Sequence, residues 1–149
     1  MDNLREQIVK LAKEWANAKV PYRHRGHTRK GCDCSGLLVG IMQELGYLKD
    51  FVMPNYPMDW NLHGFRYKHN YIVDYISKYA HKIENKDIQP GDVILFKYAK
   101  VICHTGIYIG KGLFVHSYIL RPVCYATLIN SPYTERLEEV WRIDVEKFK

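Results

Sequence analysis

Gly31-Cys32-Asp33-Cys34-Ser35-Gly36-Leu37-Leu38 decides how this chain is read. A run of small and polar residues leads into a stretch where Leu37, Leu38, Ile41, Met42 and Leu45 recur at helical spacing. A helix is expected from about Ser35 to Leu45, with Gly46 where a left-handed C-terminal residue belongs. It is apolar on most sides, which places it centrally. Cys34 stands at its start. A thiol there feels the positive end of the helix dipole, and the unpaired backbone N–H groups can receive an oxyanion. The dipole is expected to lower the thiol pKa towards neutrality. Cys34 is thus a candidate nucleophile; the competing reading is a small buried cysteine at a helix start.

On the N-terminal side, Leu4, Ile8, Leu11, Ala12 and Trp15 predict an amphipathic helix over residues 3–18, with Asn3 and Glu6 as a capping box. Pro21 forbids its continuation, and residues 21–33 read as a polar loop. On the C-terminal side, Pro54, Pro57 and Gly64 argue for an irregular segment over 50–70. Tyr71, Ile72, Tyr75, Ile76 and Tyr79 mark a third helix, and Gln89-Pro90-Gly91-Asp92 is a turn. Strands are expected at 93–98, 101–109 and 113–117, and near 123–128 and 139–144. Helices first and strands afterwards make an α+β fold, its N-terminal helices packed on a central antiparallel sheet. The whole chain, 1–149, reads as a single domain.

His104 lies inside the second strand and His116 inside the third. A histidine there is either a satisfied core residue or a general base for a thiol. With a three-residue hairpin loop at 110–112, position 109 faces 113 and 106 faces 116. His104 and His116 then share a sheet face as diagonal neighbours, about 7–8 Å apart between Cα atoms, and one ring can orient the other. Gly106 would leave open space beside them. A two-residue loop would place them on opposite faces.

The totals narrow the function. Hydrophobic residues make up 47% and charged residues 26%, ordinary for a globular protein. The formal net charge is +6, and Arg23, Arg25, Arg29 and Lys30 cluster with His24 and His27. No nucleic-acid-binding signature accompanies them, so no nucleic-acid partner is expected. The four cysteines, Cys32, Cys34, Cys103 and Cys124, are expected to be free thiols. Cys32 and Cys34 stand closer than a usual zinc pair, and although Cys103, His104, His116 and Cys124 could in principle form a metal site, neither metal nor cofactor is expected. Asp2, Arg5 and Glu6 stand where a signal peptide would be apolar, and no stretch of about 18 apolar residues spans a membrane. Synthesis in the cytoplasm without a leader is the expectation.

Asp33-Cys34-Ser35-Gly36-Leu37, then His104-Thr105-Gly106-Ile107-Tyr108-Ile109-Gly110, then Val115-His116-Ser117, resembles the NlpC/P60 family. Pro21-Tyr22 and Gln89-Pro90-Gly91-Asp92 fit the same pattern, which covers about residues 5–120. The resemblance implies a papain-like fold with Cys34 as nucleophile, His104 as base and His116 as orienting residue. It implies that Tyr22 helps hold the oxyanion or substrate, and that Asp33 and Ser35 line the substrate site near a free amine of the peptide. The implied substrates are peptide stems of bacterial peptidoglycan, cleaved at bonds such as D-γ-glutamyl to a diamino acid. Tyr56-Pro57-Met58-Asp59-Trp60 resembles phage-encoded members, which implies phage tail proteins as partners and a virion-associated or wall-delivered enzyme. The glycines often found after Pro-Tyr in the family are replaced by Arg23-His24-Arg25 before Gly26, which alters the groove rim. Two other readings stay open: a thiol amidase, acyltransferase or deamidase acting on a non-wall substrate, and an inactive wall- or tail-binding module.

Overall fold

The computed structural model describes residues 3–58, 60 and 70–148; Asp2, Asp59 and Gly64, used above, lie outside them. Helix α1 spans Asn3–Asn17 and buries Ile8, Ala12, Trp15 and Ala16, the stripe its periodicity predicts. Asn3 lies inside the helix instead of standing before it as the cap expected from the sequence.

The segment read as a polar loop contains a small ribbon. Strand β1 (His27–Thr28) pairs antiparallel with β2 (Gly31–Cys32). Helix α2 follows at Cys34–Glu44, one residue earlier than expected, and Gly46 takes the left-handed conformation beyond it, with φ +93°. Helix α2 packs on α1: the Trp15 indole N–H donates to Glu44 Oε2 at 2.9 Å. Helix α3 is short, Tyr71–Ile76, because Asn70 caps it at one end and the chain turns at Ser77. Tyr79 therefore falls outside it, and residues 80–83 form a strand that periodicity did not reveal.

Among the described residues the sheet has six strands: β3 (Ala80–Ile83), β4 (Val93–Tyr98), β5 (Val101–Gly110), β6 (Leu113–His116), β7 (Cys124–Thr127) and β8 (Leu137–Ile143). Their order is β3-β8-β4-β5-β6-β7, and every neighbouring pair is antiparallel. With α1 and α2 packed on it, the sheet gives the α+β architecture expected. One core, including Trp15, Leu37, Ile41, Leu95 and Ile107, lies between helices and sheet. A second cluster of Ile94, Phe96, Phe114 and Val140 is covered by Tyr133 of a further helix, α4 (Pro132–Arg136). Each such fully buried Leu, Ile or Phe contributes roughly 1.5–3 kcal/mol.

Gln89-Pro90-Gly91-Asp92 is more than a turn. Asp92 is 0% exposed, and Arg142 grips it twice, Nε to Oδ1 and Nη2 to Oδ2, each at 2.9 Å. The Gln89 backbone N–H also donates to Oδ2. The motif thus ties β8 to the entrance of β4.

The β5–β6 hairpin departs from expectation in an instructive way. Its tip is a two-residue turn, Lys111-Gly112, closed by Gly110 opposite Leu113, and both tip residues have positive φ (55° and 78°), as a mirror-image type I turn requires. Beyond Gly110 the register slips: Tyr108 faces Phe114 and Ile107 faces Val115. A bulge at Ile109 absorbs one residue and restores the pairing that a three-residue loop would have produced.

Candidate active site

Two chain segments converge on the start of α2. The Tyr22 backbone bridges Cys32 in parallel, Cys32 N–H donates to Pro21 O, and Arg23 N–H donates to Cys32 O, both at 3.0 Å. Tyr22 and the two residues leading to Cys34 are therefore held side by side. Cys32 itself is fully buried and structural. Ser117 Oγ donates to Cys32 O at 3.0 Å, fastening the end of β6 to the same ribbon.

Asp33 caps α2. Its Oδ1 accepts the Gly36 N–H at 2.8 Å, and its Oδ2 accepts the Arg25 N–H at 2.8 Å and the Tyr56 hydroxyl. At 5% exposure, with three donors on it, this carboxylate acts first as an anchor for the helix that begins at Cys34. Gly36 is demanded by the close approach of Gly26: a Cβ at position 36 would lie 1.7 Å from Gly26 O.

One cleft brings together Tyr22, Asp33, Cys34, Ser35 and His104, with Tyr56, Trp60, Cys103, Ser117 and Tyr118 among its other walls. Ser35 Oγ lies 4.0 Å from Cys34 Sγ. His104 Nε2 and His116 Nδ1 are 2.8 Å apart. All six residues singled out from the sequence are thus placed in or directly behind this cleft, with His116 behind His104. The space beside the histidines is not open: Phe114 and His116 crowd Gly106, so its lack of a side chain serves packing. Phe96 stacks on His104, and Tyr133 packs edge-on against His116.

The electrostatics correct one expectation. The Cys34 thiol is pushed up to about 12, chiefly by burial and then by the Asp33 charge, while the Thr105 N–H and Ser35 hydroxyl pull the other way. The helix start therefore does not leave a free thiolate at rest. Burial, then the neighbouring His116, lowers His104 to about 3, and burial lowers His116 to about 4. Burial thus opposes the charged form of both groups. Tyr22 is raised to about 12, mainly by burial, so its hydroxyl stays a donor.

Three neighbours were not singled out by sequence. Cys103 reaches the cleft because β5 is bulged against β4: Phe96 pairs with His104 and Lys97 with Ile102, leaving Cys103 extra. Tyr56 enters from the irregular segment, where its aromatic character and its place in the Tyr56-Pro57-Met58-Asp59-Trp60 stretch were the signals. His24 comes from the basic cluster, four of whose members bond other parts of the chain. Arg29 pairs with Glu44, His27 with Gln43, His24 with Tyr56 O, and Arg25 with the carbonyls of Met53 and Pro54. Among the described residues no three His, Cys, Asp or Glu side chains gather as a metal site, and no helix is long and apolar enough to cross a membrane.

A cysteine at a helix start thus shares a cleft with a histidine that contacts a second histidine behind it. The sequence profile of the NlpC/P60 family matches residues 19–142, and the chain belongs to that family. It is 27% identical over 142 residues to the Escherichia coli (strain K12) protein named Murein DD-endopeptidase MepS/Murein LD-carboxypeptidase, covering 95% of this chain and 64% of that protein. It is 29% identical over 132 residues to a probable endopeptidase of Haemophilus influenzae, covering 87% of this chain and 69% of that protein. Among solved structures, a Bacillus cereus NlpC/P60 family protein superposes with a TM-score of 0.65 at 21% identity, over 93% of this chain and 40% of that one. The NlpC/p60 domain of the peptidoglycan hydrolase SagA superposes with a TM-score of 0.59 at 15% identity, over 95% and 98%. These last two likenesses concern the fold.

Proposed function

We propose that this protein is a cysteine peptidase cutting peptide stems of bacterial peptidoglycan, with Cys34 as nucleophile, His104 as base and His116 as the residue that orients the base. The observation that carries the reading is the 2.8 Å contact between His104 Nε2 and His116 Nδ1 at the wall of the cleft that holds Cys34. With its proton on Nε2, shared with His116, His104 keeps a lone pair on Nδ1 to take the thiol proton. Burial opposes a separated thiolate and imidazolium, which favours proton transfer that accompanies attack on the scissile carbonyl. The oxyanion is received by the Cys34 backbone N–H and the Tyr22 hydroxyl. Collapse breaks the amide bond, and His104 returns its proton to the leaving amine. Water, deprotonated by His104, then splits the thioester and regenerates the thiol.

The substrate class is supported by the names of the relatives and by membership in the family. The bond we favour, D-γ-glutamyl to a diamino acid, rests on the family resemblance; a Bacillus subtilis Gamma-DL-glutamyl hydrolase, 27% identical over 84% of this chain and 26% of its own length, is named for γ-glutamyl cleavage, whereas the Escherichia coli relative is named for DD and LD cleavage. The setting we infer is delivery to the wall with a phage tail, supported by the resemblance of residues 56–60 to phage-encoded members; mass spectrometry of purified virions tests it. The activity is tested by digesting peptidoglycan fragments with the wild type and Cys34→Ala and weighing the products. Defined stem peptides from the wild type alone are expected. No release by either, with Cys34 still open to alkylation, overturns the substrate.

A further inference from the structure

Arg25 has φ +61°, a left-handed conformation that a residue with a Cβ rarely adopts. Its backbone N–H donates to Asp33 Oδ2 at 2.8 Å, while its guanidinium crosses to the irregular segment, Nε to Pro54 O at 2.9 Å and Nη2 to Met53 O at 3.0 Å. Beside it, the His24 ring bonds Tyr56 O at 3.0 Å and packs edge-on against the Tyr56 ring. The Tyr56 hydroxyl then returns to Asp33 Oδ2. The circuit is closed: Asp33 to Arg25, Arg25 to residues 53 and 54, and Tyr56 back to Asp33. One carboxylate oxygen both orients the cap of the nucleophile's helix and anchors the segment whose Tyr56 and Met58 line the cleft.

We propose that Arg25 is a positioning residue that clasps residues 53–58 against the nucleophile's helix and so builds the cleft wall that holds the substrate. The reading of the kinetics rests on the peptidase function; the clasp itself does not. A guanidinium suits the task because its planar fork meets two successive carbonyls at once, which a lysine ammonium does not. The left-handed backbone is what lets the amide face Asp33 while the side chain points across to the loop. Arg25 acts on substrate only through Tyr56 and Met58, so its loss weakens binding more than chemistry.

Arg25→Gly is the decisive variant, since glycine takes φ +61° freely and the fold is kept. Amide exchange within 53–58 should rise about 10-fold or more, with exchange in the sheet unchanged. Alkylation of Cys34 by iodoacetamide should stay within about 2-fold of wild type. On a purified stem peptide, KM should rise about 10-fold with kcat within about 3-fold. Arg25→Lys, which keeps charge and backbone, should raise KM in the same direction. Unchanged exchange in 53–58 overturns the clasp. Faster exchange with an unchanged KM overturns the substrate-holding role, and a collapse of kcat at constant KM places Arg25 in the chemistry instead. If even the wild type cuts no stem peptide, the exchange result still decides the clasp, and the failure belongs to the substrate assignment.

Discussion

Nε2 of His104 and Nδ1 of His116 stand 2.8 Å apart although the two residues do not face one another across the strands. Their contact is diagonal: His116 lies beside Gly106, and His104 reaches across from two residues earlier on β5. His116→Ala leaves the base without a partner to fix its ring and tautomer. We expect kcat on stem peptides to fall about 10²-fold with KM little changed. His116→Gln, which keeps an acceptor oxygen, should recover part of the loss. Steady-state kinetics on a single purified muropeptide checks both.

Both histidines titrate well below their ordinary 6.5, His104 at about 3 and His116 at about 4, because burial opposes their charged forms. The unfolded chain binds these protons more readily than the folded one. The stabilising contribution is therefore fully present above pH 6.5 and is lost as pH falls from there through the folded values. The melting temperature should drop on acidification from pH 6.5 towards pH 4, and a His104→Gln, His116→Gln double variant should drop less. The acid limb of kcat/KM should likewise lie well below 6.5.

Gly36 and Gly46 flank the same helix and fail differently when substituted. A Cβ at 36 meets the backbone oxygen of Gly26 at 1.7 Å, and neither chain can step aside. Gly36→Ala should lose more than about 3 kcal/mol in urea unfolding. Position 46 has nothing within 4 Å of the added Cβ, but its φ is +93°. Gly46→Ala should lose only about 1–2 kcal/mol, from backbone strain alone.

Arg142→Ala strands the Asp92 carboxylate at 0% exposure, with only the Gln89 N–H left of the donors described above. A loss of about 3–5 kcal/mol is expected. Asp92→Asn with Arg142→Gln, a neutral pair of similar shape, should lose less than Arg142→Ala. Urea midpoints for the three proteins decide this.

Much of this was legible in the chain itself. Periodicity located α1 and α2 closely, since their apolar stripes face one continuous core. The strands from 93 onwards were readable because β-branched and aromatic residues alternate with clear turns. Residues 27–32 and 80–83 were not, because β1, β2 and β3 are too short to show a period. The thiol's environment also escaped the sequence. A helix start predicts a lowered pKa, whereas burial and the Asp33 charge push it up. The placing of Cys103 needed a bulge that only the pairing of β4 with β5 reveals. Tyr56 needed the clasp of Arg25, a contact between residues with no shared pattern.

The position of β8 has a consequence for how the molecule comes into being. Residues 137–143 are inserted between β3 and β4, so two strands made earlier wait for one made later. Until β8 arrives, the edge of β4 is unpaired and Asp92 lacks its cation. During synthesis the helices and the β4–β7 meander can form, but the sheet cannot close. A ribosome-bound chain short of residue 143 thus carries every chemical group of the thiol site on an unfinished platform. The last strand to be made, and not the groups that line the cleft, completes the sheet on which they stand.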